Sequence, residues 1–381
     1  MLSLAAYSGL FVFGIVMALL GAILPVLAEQ LRFAVSDIGT LFLIMNFAML
    51  VCSLLLGLAM DRFGMKPPLA LGPLLVAAAL ILIARTRSFS DLFPAVTLLG
   101  IGGAAVNGAA NTLMADLHED PQKKNAALNL LGVFFGLGAL FLPFAIGALL
   151  ARFSLAVLLG AAALLCAVAG LYSLVLRYPP PKQAQRLPFR DMGGFLRSPL
   201  VLIFAMLLFF ESGVEFTLGG FVSTYFTRDM GISSVSIASW ILAGYWAALI
   251  LSRIVLSRIA LGADPYRILL FSALGACLGA LIAAMAPLAA VAALGIWLAG
   301  WSLAGIYPAV LGITGARFQS HSGTVFGILF AVALLGGMIV PWVSGQVAAA
   351  GGLRWVFVLV SSSFAAIAVL GRLARQNTAT P

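Results

Sequence analysis

The chain has 381 residues, of which 63% are hydrophobic and only 9% charged, with a formal net charge of +9. A soluble globular domain carries about a quarter of its residues as charges, so this composition excludes a water-soluble fold and indicates a polytopic membrane protein. The positive charge is scattered along loops with no aromatic-interleaved patch, which argues against nucleic acid as a partner.

A hydrocarbon core about 30 Å thick takes about 20 apolar residues per helix. Twelve stretches of that size occur, near 6–28, 36–60, 68–86, 91–116, 122–150, 154–177, 198–227, 233–258, 265–286, 287–316, 322–349 and 352–373. The expectation is an all-α protein that crosses the lipid bilayer twelve times. The first span starts within six residues of Met1, has no basic leader and exceeds the roughly 7 to 15 apolar residues of a cleaved signal, so it reads as a retained helix. Ser36–Asp37 opens the second span with residue types that cap helices, and Asn46 falls near its mid-depth.

Between spans two and three stands Gly57–Leu58–Ala59–Met60–Asp61–Arg62–Phe63–Gly64–Met65–Lys66–Pro67. This resembles the loop signature of the major facilitator superfamily, Gly–x3–Asp–Arg–x–Gly–Arg–Lys or Arg, with Gly57, Asp61, Arg62, Gly64 and Lys66 matching and Met65 departing from the usual base. The resemblance implies twelve transmembrane helices in two six-helix bundles related by a pseudo-two-fold axis along the membrane normal. It also implies that Asp61 meets the amino-terminal end of a helix in the other half, where a carboxylate is favoured by free N–H groups and the helix dipole, and that Gly57, Asp61, Arg62, Gly64 and Lys66 form a conformational latch.

Span four carries Asn107 and Asn111, four apart and therefore on one helical face. Amides bind hydroxyls but take up no proton near neutral pH. His118 and His321 fall in separate loops, and Cys52, Cys166 and Cys277 lie in apolar spans, so neither a metal site nor a disulfide framework is expected, and no cofactor.

The long polar connection at 178–197 begins with Pro179–Pro180–Pro181 and separates six spans from six. The expected organisation is an N-terminal bundle at 1–177, a cytoplasmic linker at 178–197 and a C-terminal bundle at 198–381. An offset of 198 residues lays Gly102 on Gly300, Gly138 on Gly336, Pro143 on Pro341 and Gly147 on Gly345. With six spans between copies, both halves have the same topology, as in parallel repeats. Gly and Pro inside spans five and eleven permit close packing or bending.

Span seven holds Glu211 and Glu215, one turn apart in a segment otherwise fit for hydrocarbon. An ionisable group at bilayer depth normally faces a protein interior or a water-filled path. Either carboxyl is a candidate to carry a proton in one access state and release it in the other, leaving its neighbour to hydrogen-bond substrate. The stretch from Gly213 to Tyr225, with Gly–x–Glu, then Gly219–Gly220 and an aromatic, resembles the seventh helix of the fucose and glucose permease branch, which implies a sugar or sugar-sized polyol. That branch commonly has carboxylates in spans one and four, where this chain is apolar or amide, so coupling falls on span seven.

Trp240, Tyr245 and Trp246 in span eight read as packing or interface residues, and Arg253 as a base snorkelling from near a span end. Phe13, Phe209, Phe210 and Phe216 read as wall or gate. Span ten supplies Trp297 and Trp301 on one face, then Tyr307–Pro308. Indole offers a flat apolar area plus a donor, which suits the faces and hydroxyls of a pyranose.

Orientation follows from the bases. With the amino terminus in the cytoplasm, Arg32, Arg85, Arg87, Arg152, Arg228 and Arg354 lie outside, and the other fifteen of the 21 Lys and Arg, including every Lys, lie inside. Both termini are then cytoplasmic, in a plasma membrane of the bacterial inner-membrane type. No HExxH, GxSxG or phosphate-binding loop occurs, so neither an enzyme nor a nucleotide-driven pump is expected.

The combined reading is a monomeric secondary transporter that moves a monosaccharide or similar polar solute with protons. A cavity lined by spans 1, 2, 4, 5, 7, 8, 10 and 11 would alternate between the two sides. Sodium is the weaker ion because few carbonyl-freeing breaks lie near the carboxylates. The rival reading is a proton-driven exporter of drugs or hydrophobic metabolites. Drug antiporters of the superfamily usually carry Gly–Pro–x–x–Gly–Gly in span five, where this chain has Leu142–Pro143–Phe144–Ala145–Ile146–Gly147.

Overall fold

Hydrocarbon offers no hydrogen-bond partner, so a chain crossing it satisfies its backbone inside each helix. The computed structural model, which describes residues 1–118, 120–179, 197–259, 263–318 and 322–379, has thirteen α-helices and one 3-10 turn among those residues. The first six are α1 (Leu2–Leu31), α2 (Val35–Phe63), α3 (Lys66–Ala84), α4 (Leu92–Leu117), α5 (Pro121–Leu149) and α6 (Leu155–Val175). The others are α7 (Pro199–Arg228), α8 (Val235–Ile259), α9 (Pro265–Met285), α10 (Ala289–Leu303), α11 (Ile306–Arg317), α12 (Ser322–Gly351) and α13 (Arg354–Ala379). They supply twelve membrane spans, as expected. Most of the 178–197 linker and His321 lie outside the described residues.

Local chemistry sets the boundaries. Ser154 caps α6 by accepting from the Val157 N–H, and Asp264 caps α9 by accepting from the Tyr266 N–H at 2.9 Å, with Pro265 fitting the first turn. Helix α2 begins at Val35, so Ser36 and Asp37 sit within its first turn, where Asp37 complements the helix dipole. Gly64 closes the α2–α3 corner at φ 78°, which L side chains rarely adopt. The tenth span is interrupted at Ala304–Gly305. Two residue types explain the break: Pro308 has no N–H to continue the ladder, and Gly305 comes so close to Ser272 and Leu256 that a Cβ would stand 2.5 Å and 3.1 Å from them.

Two compact units emerge. The first comprises Met1–Ala34, Ile44–Gln185 and Ser234–Ala243; the second comprises Val35–Leu43, Arg186–Ser233 and Gly244–Pro381. Within the first unit, α1 and α5 touch backbone to backbone: a Cβ on Gly138 would strike the Phe11 carbonyl, and one on Gly14 the Phe135 carbonyl. Within the second, Gly336 of α12 meets the Phe209 carbonyl of α7 in the same way. The Phe11–Gly138 and Phe209–Gly336 contacts are related by the 198-residue offset.

The second glycine of the repeated spacing also has a job in each unit. Gly147 lies under the Trp240 indole, which packs edge-on to Phe144 at 4.8 Å, and Gly345 lies against the backbone of Ser36 and Gly39. Close helix approach is what small residues provide in membranes, where lipid is as apolar as Leu. The Gly102–Gly300 match does not carry over. Gly100, not Gly102, meets the Met45 carbonyl of α2 as Gly300 meets the Tyr245 carbonyl of α8, whereas Gly102 packs on Gly72 and Val76 of α3. The α2–α4 and α8–α10 pairs are therefore displaced by two further residues.

Three hydroxyls buried in these helices are absorbed locally. Thr217 donates to the Gly213 carbonyl at 2.7 Å, Thr314 to Val310 at 2.8 Å and Ser344 to Val340 at 2.8 Å.

Because the atom opposing Gly138 is a carbonyl that cannot swing aside, Gly138→Ala is expected to cost at least the roughly 1–3 kcal/mol of ordinary overpacking. Gly132→Ala, with open space around its Cβ position, should stay within about 0.5 kcal/mol. Thermal unfolding of the two purified variants checks this; equal midpoints would contradict the packing account.

Candidate functional site

Four residues separate Glu211 from Glu215 on α7, which puts both side chains on one face. Glu211 is 2% exposed. Glu215 is half-buried, with its Oε1 enclosed and without a hydrogen-bond partner among the described residues. Gly213 between them holds α7 tightly to Val340 and Gly336 of α12, so the carboxyl face is fixed from behind.

Three further side chains of the same unit join the pair. Arg253 of α8 acts electrostatically on both carboxyls. Tyr245, also on α8, and Tyr307 of α11 both feel the two carboxyls and the guanidinium. Tyr245 is fully buried and its hydroxyl lacks a partner among the described residues. It is held by Trp246, 5.1 Å away between ring centroids, and by Gly300 of α10. Tyr307 follows the break between α10 and α11 and stacks on Phe330 of α12 at 6.3 Å and 11°. The result is a partly buried polar cluster of two acids, one base and two phenols within the second unit.

The sequence reading named Glu211, Glu215 and Tyr307, and the structure brings these three together. It left out Arg253, read as snorkelling, and Tyr245, read as packing. The available signal was their spacing: eight residues is two helical turns and a little more, so both lie on one face of α8.

The other candidates lie on α10 or in the other unit. Trp297 and Trp301 are 37% and 42% exposed on α10, on a stripe with Leu294, and the Trp297 indole lies over Gly244. In the first unit Asn46 is fully buried, and Asn111 donates to the Asn107 side chain at 3.0 Å and to its carbonyl at 2.9 Å. In the α2–α3 corner, Asp61 is half-buried, the Arg62 guanidinium lies 5.3 Å from the Phe63 ring centroid, Lys66 is exposed and Gly57 has open space around it. No group of three or more His, Cys, Asp or Glu able to hold a metal occurs among the described residues.

A family model described as the Major Facilitator Superfamily matches residues 6–263. The chain belongs to this superfamily. It is accordingly a multi-pass membrane transporter and not an enzyme. It is similar to the glucose/mannose transporter GlcP of Bacillus subtilis (strain 168), 24% identical over 359 residues covering 90% of this chain and 86% of that protein. Among solved structures, the nucleoside transporter NupG covers all of this chain at a TM-score of 0.75 and 17% identity, with 98% of its own chain covered. A variant of the E. coli fucose:proton symporter FucP covers 98% of this chain, with 98% of its own covered, at a TM-score of 0.67 and 17% identity. At those identities the two structures establish the fold.

Removing the Arg253 charge leaves both buried carboxyls without their base, which is strongly destabilising for buried ions. Arg253→Leu is expected to lower the unfolding midpoint, and Glu211→Gln or Glu215→Gln in the same chain to recover part of it, whereas Tyr245→Phe should leave the midpoint unchanged or raised. A double-mutant cycle by thermal unfolding reads the coupling. Additive losses would mean that Arg253 does not serve the pair.

Proposed function

We propose that this transporter moves a small polar solute, a monosaccharide or close relative, coupled to protons that bind at Glu211 or Glu215. The observation that carries the reading is the charge count of the buried cluster. One guanidinium, Arg253, balances one carboxylate, and the second carboxyl is in balance only when it holds a proton or meets a cation. Exchange of that proton between the two sides gives each access state a different charge, which is the differential interaction a conformational switch requires. The similarity to a protein named as a glucose/mannose transporter supports a sugar as the solute.

The donors and flat rings available to such a solute are Asn46, Asn107 and Asn111 in one unit and Trp297, Trp301, Tyr307 and Glu215 in the other. The 1–177 and 198–381 halves act as the two bundles, with Gly57, Asp61, Arg62, Gly64 and Lys66 as the latch and both termini cytoplasmic in a bacterial-type inner membrane. The transporter works as a monomer. The break beside Tyr307 frees backbone carbonyls, so sodium belongs in the test as a second ion.

The experiment is uptake into proteoliposomes of a panel of hexoses, pentoses and polyols, driven by an imposed pH gradient or, separately, a sodium gradient. Wild type is expected to concentrate at least one sugar with the pH gradient and to lose the gradient with an uncoupler. Glu211→Gln or Glu215→Gln should reduce accumulation to the equilibrated level while leaving counterflow exchange. Full proton-driven accumulation in both single variants and in the double variant would sink the assignment.

A further inference from the structure

Away from the carboxylate cluster, the first unit has a cavity of about 400 Å³ where α2 turns into α3 and α6 ends. Its lining includes the apolar Phe63, Met65 and Leu176 and the polar Lys66, Arg177 and Tyr178. Lys66 and Arg177 form no ion pair or hydrogen bond among the described residues, and no carboxylate lines the cavity. The Tyr178 hydroxyl is buried, with Ser173 beside it. Two like charges facing one cavity repel unless an anion lies between them.

From this arrangement we infer that the cavity binds a phosphoryl anion, held between Lys66 and Arg177 with the Tyr178 hydroxyl as a further donor. The side chains supply the charge. Helix α3 adds little, because Pro67 and Pro68 remove two of the N–H groups its first turn would offer. The guanidinium fork of Arg177 suits two phosphoryl oxygens at once. The apolar residues of the lining match a group that continues into hydrocarbon, since α3 starts and α6 stops here, at the ends of two spans. Basic pockets between membrane helices are sites for anionic headgroups. A free phosphate presents the same oxygens, so one experiment separates the two sources.

Full-length protein purified in neutral detergent is titrated with phosphatidylglycerol, with phosphatidylcholine or with inorganic phosphate, while the unfolding midpoint is followed and retained lipid is counted by native mass spectrometry. Phosphatidylglycerol is expected to raise the midpoint and phosphatidylcholine not to. Arg177→Ala should weaken the apparent affinity about tenfold, the scale of one hydrogen bond to a charged group. Tyr178→Phe should weaken it less, and Arg177→Lys should retain more of it than Arg177→Ala. If inorganic phosphate alone gives the Arg177-dependent shift, the site takes a free phosphoryl group. If phosphatidylcholine stabilises as well as phosphatidylglycerol in wild type and in Arg177→Ala alike, the effect is that of lipid in general, and if all three variants respond like wild type, there is no phosphoryl site. Should Arg177→Ala fail to fold, the responses of Tyr178→Phe and Arg177→Lys decide.

Discussion

Everything in this protein answers to a solvent that cannot hydrogen-bond. The backbone is satisfied inside helices, and hydroxyls such as Thr217, Thr314 and Ser344 turn back onto carbonyls of their own helix. Helices then associate by fit, because apolar side chains gain little by leaving lipid for one another. Two of the places where backbone meets backbone, Gly138 on Phe11 and Gly336 on Phe209, occupy corresponding positions in the two units, so one solution to helix packing serves both. A Cβ at either glycine would push two long helices apart along their whole contact.

Against that background the cluster of Glu211, Glu215, Arg253, Tyr245 and Tyr307 is an exception with a reason. A fold needs no acid at this depth, and an isolated pair of ionised carboxylates would be far too costly to keep. Arg253 reduces the imbalance without removing it. The break of the tenth span at Ala304–Gly305 places Tyr307 in the field of these charges. Irregular backbone is tolerated in membranes where protein buries it, and Gly305 is packed on α8 and α9.

The sequence was most legible where one physical rule dominates. Twelve apolar stretches gave twelve spans because length and hydropathy decide crossing almost alone, and the Gly–x4–Pro–x3–Gly repeat marked corresponding helix contacts because only glycine permits them. Legibility failed where position depends on neighbours in space. Arg253 looked like a snorkelling base because its distance from a span end is visible in sequence and its distance from Glu211 is not. Gly102 seemed to match Gly300 because a single offset was applied to the whole chain, whereas the α2–α4 contact sits two residues away from that register. The interruption in span ten is hidden because apolar length alone reads 287–316 as one span, whereas the close approach of α8 and α9 at Gly305 depends on neighbours in space.

The division of chemistry between the two units constrains how solute and ion can share the work. Asn46, Asn107 and Asn111 stay neutral across the physiological range, so whatever they hold is held by geometry, indifferent to the proton. Asn107 and Asn111 already bond to each other, so a hydroxyl that displaces this pairing gains only the difference between two similar hydrogen bonds. That favours solutes with several hydroxyls over those with one. Glu211, Glu215, Arg253, Tyr245 and Tyr307 are all on the other unit, where the reading proposed above puts the coupling proton. On that reading, a solute held by the second unit feels the protonation state there. Coupling would then arise because the proton alters the affinity of that side and, by reciprocity, the solute alters the affinity for the proton.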